Sequence, residues 1–360
     1  MESTNIKSSN DYNKIILALL SIIGVVILGM VLKNASSIFI PFVLAIFLSF
    51  ILNPVITFFE KLHFPGVLAT LLTVILAIVV IGLIGIFIKG SIESFITEFP
   101  KYENRINDIV ENLLRLLSVS SSTSAGQSTL QDNPQLVDLF ENFSVPSLIK
   151  GMVASMGSFL SSSFLIFLIL MFLLAGRKQF TKKSYKAFNS DVSEKIVGVV
   201  TKINDQIQQY LVAKTMVSLL TAILVGIVLY LFDIEFIGIW ILLTFLLNFI
   251  PNVGSMVATL LPIPIAVIQY DNFGVVIWIV LCILIIQLAI GNVLEPKVVG
   301  KRINLSPLVL LFSLALWGYI WGIVGMFLAV PLMVMIRIIL ENIDGLRFIS
   351  VYMGAEVKEI

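Results

Sequence analysis

Apolar residues run along this chain in blocks of about 18–22, separated by short polar stretches. That is the length a helix needs to cross about 30 Å of hydrocarbon. Six blocks read as spans, at 15–32, 38–59, 67–88, 153–174, 212–232 and 274–293. Two further apolar stretches are interrupted. One, from Phe236 to Ile268, is broken at Pro251, and the other, from Leu308 to Ile339, is broken around Gly318 to Gly325. Each piece is near 15 residues, so each pair reads as two tilted helices or as a re-entrant hairpin. An unpaired amide in hydrocarbon costs several kcal/mol, so breaks of this kind survive only where protein or a water-filled cavity covers them.

Two segments have helical periodicity without the length or hydropathy of a span. Residues 89–150 read as an exterior insert, in which Ile92, Phe95, Ile96, Phe99, Tyr102, Ile106, Ile109 and Leu113 recur at helical spacing. The serine-rich linker SVSSSTSAGQST follows at 118–129, and LVDLFENF begins a second short helix. Residues 177–211 open with RKQFTKKSYK and continue with Val192, Ile196, Val199, Ile203, Ile207, Tyr210 and Leu211 on one face. The plain expectation there is a cytoplasmic membrane-surface helix. The alternative is that Asn204, Gln206 and Gln208 face a transport pathway at its mouth.

Composition fixes the class. Hydrophobic residues make up 58%, charged residues 12%, and mean hydropathy is +1.05, which excludes an ordinary soluble domain. The expectation is an all-α polytopic membrane protein of about eight membrane segments, including two broken or re-entrant helical hairpins, plus the exterior insert. A net charge of +1 offers no basic surface for nucleic acid. The distribution of charge says more than its total. With the N-terminus inside and each broken pair leaving the count of crossings even, 17 of the 23 Lys and Arg fall on the cytoplasmic side and 6 opposite. Positive residues accumulate in cytoplasmic loops, so both termini, 177–211 and 294–305 are placed in the cytoplasm of a bacterial cell membrane. The organisation reads as 1–88 with three spans, 89–150 as insert, 151–176 as fourth span, 177–211 as cytoplasmic helix, 212–345 as transport-motif region and 346–360 as cytoplasmic tail.

Several chemistries lack their parts. The single cysteine, Cys282, rules out an intrachain disulfide. The single histidine, His63, sits beside Phe64-Pro65 in a short loop, and no HExxH or Ser-Lys arrangement occurs, so an intramembrane hydrolase is not expected. No GxxxxGK[ST] loop is present for an ATP-driven pump. Neither a metal nor a cofactor is implied. What remains is a small set of polar groups inside or at the edge of apolar runs: Asn248, Asn252, Gln287 and Asn292, then Glu295, Pro296 and Lys297. Such groups are costly in a bilayer and usually face a bundle interior or a water-filled cavity. Interrupted helices beside them are how secondary transporters build midplane sites. Each broken pair also carries Val-Gly entering an apolar half-helix that ends at proline, VGSMVATLLP and VGMFLAVP. If a proton is coupled, Glu295 is the leading carrier, with Lys297 near enough in sequence to pair with it; otherwise Glu295 is structural. Glu341 and Asp344 are expected in solvent. The exposed amphipathic faces lead to an expectation of a homo-oligomer in membrane lipid.

FIPNVGSMVATLLPIP, followed by QLAIGNVLEPKVVGKRINLSPLVLLFSLALWGYIWGIVGMFLAVPL, resembles the signature of the autoinducer-2 exporter family of bacterial permeases. Carried over residue by residue, the family's proline-glycine break falls on Pro251 and Gly254. Its polar-to-EPK element falls on Asn292, Glu295, Pro296, Lys297 and Gly300, and its glycine-rich final hairpin on Gly318, Gly322, Gly325 and Pro331. The resemblance implies a secondary transporter exporting a small polar solute such as autoinducer-2. It leaves as alternatives a sodium or lithium/proton antiporter moving a monovalent cation, or a non-transporting membrane scaffold.

Overall fold

The computed structural model describes residues 3–98, 101, 145–270, 272–300 and 304–355. The described residues are helical throughout, without a strand: α1 Ser3–Asn34, α2 Ser36–Lys61, α3 Gly66–Glu98, α4 Val145–Ala187, α5 Ser190–Leu231, α6 Ile237–Leu247, α7 Val253–Leu260, α8 Ile263–Gln269, α9 Phe273–Ala289, α10 Pro307–Glu341 and α11 Arg347–Met353. Beyond α9 the chain continues through two π-helical turns, Ile290–Leu294 and Pro296–Gly300. Five helices are long and apolar enough to cross a membrane, and shorter apolar helices accompany them. The protein is an all-α polytopic membrane protein. Large apolar side chains along α1 and α3, among them Ile22, Val25, Leu83 and Ile86, are exposed, as helix faces in contact with lipid should be.

The chain forms two compact units, Met1–Asn53 with Phe172–Leu211 and Arg302–Ile360, and Pro54–Met171 with Val212–Lys301. In the second unit Val225, Leu229, Ile234, Ile265, Ala266, Val276, Ile279 and Ile283 form one buried cluster from α5, α8 and α9. Packing rather than hydrophobic transfer holds such helices together in lipid, because acyl chains are as apolar as leucine.

The six uninterrupted runs all appear as helices, several longer than the runs themselves. The first part of the insert is continuous with the third span, since α3 extends to Glu98. The remainder of the insert, including LVDLFENF, lies outside the described residues. The periodic stretch before residue 212 and the span after it are a single helix. At 1.5 Å per residue the 42 residues of α5 extend about 63 Å, roughly twice the hydrocarbon thickness. Its first half therefore continues the axis of the span instead of lying along the membrane surface, contrary to the expectation from sequence. It turns back against α4, where Ser193 Oγ donates to the carbonyl of Ser184 at 2.9 Å and lies 3.3 Å from that of Phe188. Glu341, expected in solvent, pairs with Lys202 of this extension at 3.0 Å.

Both breaks are helical hairpins. In the first, α6 and α7 run back on each other, and a Cβ added to Gly254 would stand 1.7 Å from the carbonyl oxygen of Leu247. In the second, the two arms of α10 are joined at Gly322, whose φ of 62° and ψ of −141° suit glycine alone. A Cβ on Gly325 would stand 1.9 Å from the carbonyl oxygen of Trp317. Deeper in this hairpin Ser313 Oγ donates across the arms to the carbonyl of Ala329 at 2.8 Å. Gly318 sits on the first arm, where a Cβ would meet Met326. The Val-Gly of each sequence echo is thus the point where backbone meets backbone at the start of the returning arm. The prolines differ: α7 ends at Leu260, just before Pro262, whereas Pro331 lies inside α10 and does not end its half-helix.

The hairpins differ in depth as well. Trp321, stacked 5.0 Å from Trp317, donates its indole N–H to the carbonyl of Leu32 at 3.0 Å, and Lys33 lies over the ring of Tyr319. The tip of α10 therefore stands level with the end of the first span. By contrast α6 has only 11 residues, about 16 Å, and its tip stops near half the hydrocarbon thickness.

Candidate functional site

The tip of the first hairpin is an unusual turn. Ile250 N donates to Leu247 O at 2.8 Å, then Val253 N donates to Pro251 O at 2.6 Å across Asn252, held at φ 59° and ψ −54°. This is a γ-turn of the strained, positive-φ kind, rare outside sites where surrounding structure enforces it. Proline at 251 removes one donor from the turn and fixes the approach to it. Asn252 precedes α7, its carbonyl accepts from Ser255 Oγ at 3.0 Å, and Ser255 O in turn accepts from Thr259 Oγ1 at 2.9 Å.

Beside this tip lies a cavity of about 310 Å³ in the second unit. The hairpin contributes Asn248, Pro251, Asn252, Ser255 and Thr259. Gln287, Gly291, Asn292 and Glu295 come from α9 and its π-helical continuation, and Lys214 from α5. The first π-turn matters here, because i→i+5 hydrogen bonding widens a helix, and such turns concentrate at functional positions. Asn248 is buried and donates through Nδ2 to Ser218 Oγ of α5 at 3.1 Å. The Nε2 of Gln287 is buried and has no hydrogen-bond partner, a donor whose desolvation is uncompensated unless water or a ligand accepts from it.

The strongest electrostatic feature is one that reasoning from sequence missed. Lys214, 1% exposed, donates its ammonium to the carboxylate of Glu295, 81 residues away. Lys297, the partner expected for Glu295, is exposed and points elsewhere. Residues two apart on a helix do not share a face, and that explains the miss. A signal for Lys214 was present. The buried stripe Ile203, Ile207, Leu211 continues through Lys214, Ser218, Thr221, Val225 and Leu229 at helical spacing, so a lysine occupies a core position.

Of the residues singled out from sequence, Asn248, Pro251, Asn252, Gln287, Asn292 and Glu295 converge on this cavity. Gly254 does not line it but sets the arm spacing behind it. Pro296, Lys297 and Gly300 lie in the second π-turn, outside the lining. Gly318, Gly322, Gly325 and Pro331 belong to the second hairpin, in the other unit. Asn204 lines a separate cavity of about 420 Å³ in that unit, among Phe50, Phe172, Phe180 and Val200, and Gln208 accepts from Asn53 Nδ2 at 2.8 Å. His63 is an exposed turn residue.

Comparison with known proteins gives this arrangement its context. Residues 15–345 match the family described as AI-2E family transporter. The AI-2 transport protein TqsA of Escherichia coli is 29% identical over 349 residues, covering 96% of each chain. A Borreliella burgdorferi protein provisionally named a transport protein is 34% identical over 323 residues, 89% of this chain and 86% of that one. A Haemophilus influenzae protein named in the same way is 30% identical over 329 residues, 90% and 92% of the two chains. A match over nearly the whole chain, a membrane-embedded hairpin and a polar cavity at its tip lead to one conclusion: the chain belongs to the AI-2E transporter family.

Proposed function

We propose that this protein is a secondary transporter that exports a small, neutral, polar solute through the second-unit cavity, with autoinducer-2 the leading candidate. The observation that carries the reading is the unpartnered Gln287 Nε2 in a cavity ringed by three further side-chain amides at the tip of a membrane-embedded hairpin. Each amide offers a donor and an acceptor, which matches hydroxyl and carbonyl oxygens on an uncharged solute. The likeness to a protein named for AI-2 transport supports the choice of solute. A cation/proton antiporter is the weaker reading, since the one carboxylate lining the cavity is already taken by Lys214. A scaffold without flux leaves the buried donor of Gln287 unexplained.

Purified protein in liposomes, assayed in parallel for autoinducer-2, sodium and proton flux, tests the proposal. Gln287→Leu and Asn252→Leu should each abolish solute flux at unchanged thermal stability, and His63→Ala should leave it as in wild type. Normal flux in both leucine variants removes these residues from the pathway.

The charge distribution supports an orientation with both termini inside. In a Cys282→Ala background, a cysteine at Lys183 should label only from the cytoplasmic face and one at Ser121 only from outside. Lys183 is exposed, whereas neighbouring Ser184 is buried and unsuited to the purpose. Labelling of both positions from one face refutes this topology.

A further inference from the structure

The cavity at the first hairpin has an unusual electrical balance. Its lining contains one base and one acid, Lys214 and Glu295, joined to each other, and every other polar group is a neutral amide or hydroxyl. The two charges come from different elements, α5 and the π-helical continuation of α9. Neither has another charged partner in the lining. Lys214 is 1% exposed, so no bulk water screens its charge if the partner is lost. A closer look at what such a pair does to a solute is therefore warranted by geometry alone.

We infer that the Lys214–Glu295 pair is the charge filter of the cavity: by neutralising itself it restricts the site to uncharged solutes, and each member excludes the ion class that the other would attract. An anionic solute must take the ammonium of Lys214 from Glu295, leaving that carboxylate unpaired in a nearly closed space. A cation must take the carboxylate and strand the ammonium. Breaking a buried pair leaves an uncompensated charge, so both ion classes are rejected by the same device. A neutral solute disturbs neither member and bonds to Gln287, Asn248, Asn252 and Asn292. Discrimination by an unfavourable alternative as well as by a favourable fit is a general route to selectivity. The inference rests on the transport reading for its purpose, but its electrostatic content is testable without any flux.

The test uses the full chain in detergent, with formate as the anionic probe and sodium as the cationic one, each exchanged at constant ionic strength against gluconate or N-methylglucamine. Glu295→Gln leaves Lys214 alone, and its Tm should rise saturably with formate. Lys214→Met leaves Glu295 alone, and its Tm should rise saturably with sodium, because a ligand that binds only the folded state stabilises it. Wild type and the double variant should respond to neither probe. In liposomes, Glu295→Gln should take up formate about tenfold faster than wild type, a difference near one factor of ten in affinity. Should either single variant fail to fold, a charge placed on the exposed lining position Asn292 serves in its stead. Asn292→Lys should then gain the formate response and Asn292→Asp the sodium response. Equal responses in all variants, or none in any folded variant, overturn the filter. Loss of solute flux in wild type with the probe pattern intact overturns the transport reading and leaves the filter standing.

Discussion

Lys214→Met destabilises the protein by about 3–5 kcal/mol, and adding Glu295→Leu recovers most of that loss. The cost of the single change is that of an uncompensated charge in a space water hardly reaches. Glu295 retains about a quarter of its exposure, which places the expected value toward the lower end. The double variant removes both charges and both desolvation penalties, so its stability should approach that of wild type. Reversible unfolding in mixed micelles, read as a double-mutant cycle, measures the coupling directly. A single variant within 1 kcal/mol of wild type, or a cycle whose two changes simply add, denies the pair any energetic partnership.

The second large effect falls on backbone contact. Gly254→Ala places a methyl group 1.7 Å from the carbonyl oxygen of Leu247, and Gly325→Ala places one 1.9 Å from that of Trp317. Neither obstacle is a side chain that can rotate away; the arms of the hairpin must separate. Overpacking in a well-packed interior costs about 1–3 kcal/mol and more where the backbone is the obstacle, and both variants should lie at or above that range. Gly82→Ala, where nothing stands within 4 Å of the new methyl, should be neutral or slightly stabilising. Thermal unfolding in detergent separates these cases, and equal Tm values for Gly254→Ala and Gly82→Ala would show that the arms are not in contact.

Much of this fold is legible in the chain because a bilayer imposes a length. The runs at 38–59 and 67–88 admit no reading except crossing, and the breaks at Pro251 and Gly322 declare themselves through residues that a lipid-exposed helix cannot carry cheaply. The shared Val-Gly of the two breaks also proved physical, since Gly254 and Gly325 occupy equivalent places in their hairpins. Its proline did not, because helices in membranes tolerate an internal proline when neighbouring groups satisfy the freed carbonyl, as α10 does at Pro331. Convergence of Asn248, Asn252, Gln287 and Asn292 was legible from their cost. The partner of Glu295 was not, because proximity in sequence favoured Lys297 and nothing local distinguishes a lysine at the end of one amphipathic stretch from a core position. Only extension of the α5 stripe past Leu211 identifies Lys214. The depth of each hairpin was equally hidden, since arm lengths near 15 residues fit a half-entry and a full crossing alike.

The π-helical turns following Ala289 have a consequence for how the site tolerates change in length rather than in residue type. A π-turn holds one residue more than the α-turn it replaces. Deletion of a single residue from Ile290–Leu294 returns that turn to the tighter form with the helix still continuous, and rotates everything beyond it by about 100°. Glu295 would then face away from Lys214 although no polar residue had been altered. The ion pair is thus encoded by a residue count as well as by two side chains, and an insertion or deletion in these five positions is a more severe event than most substitutions there.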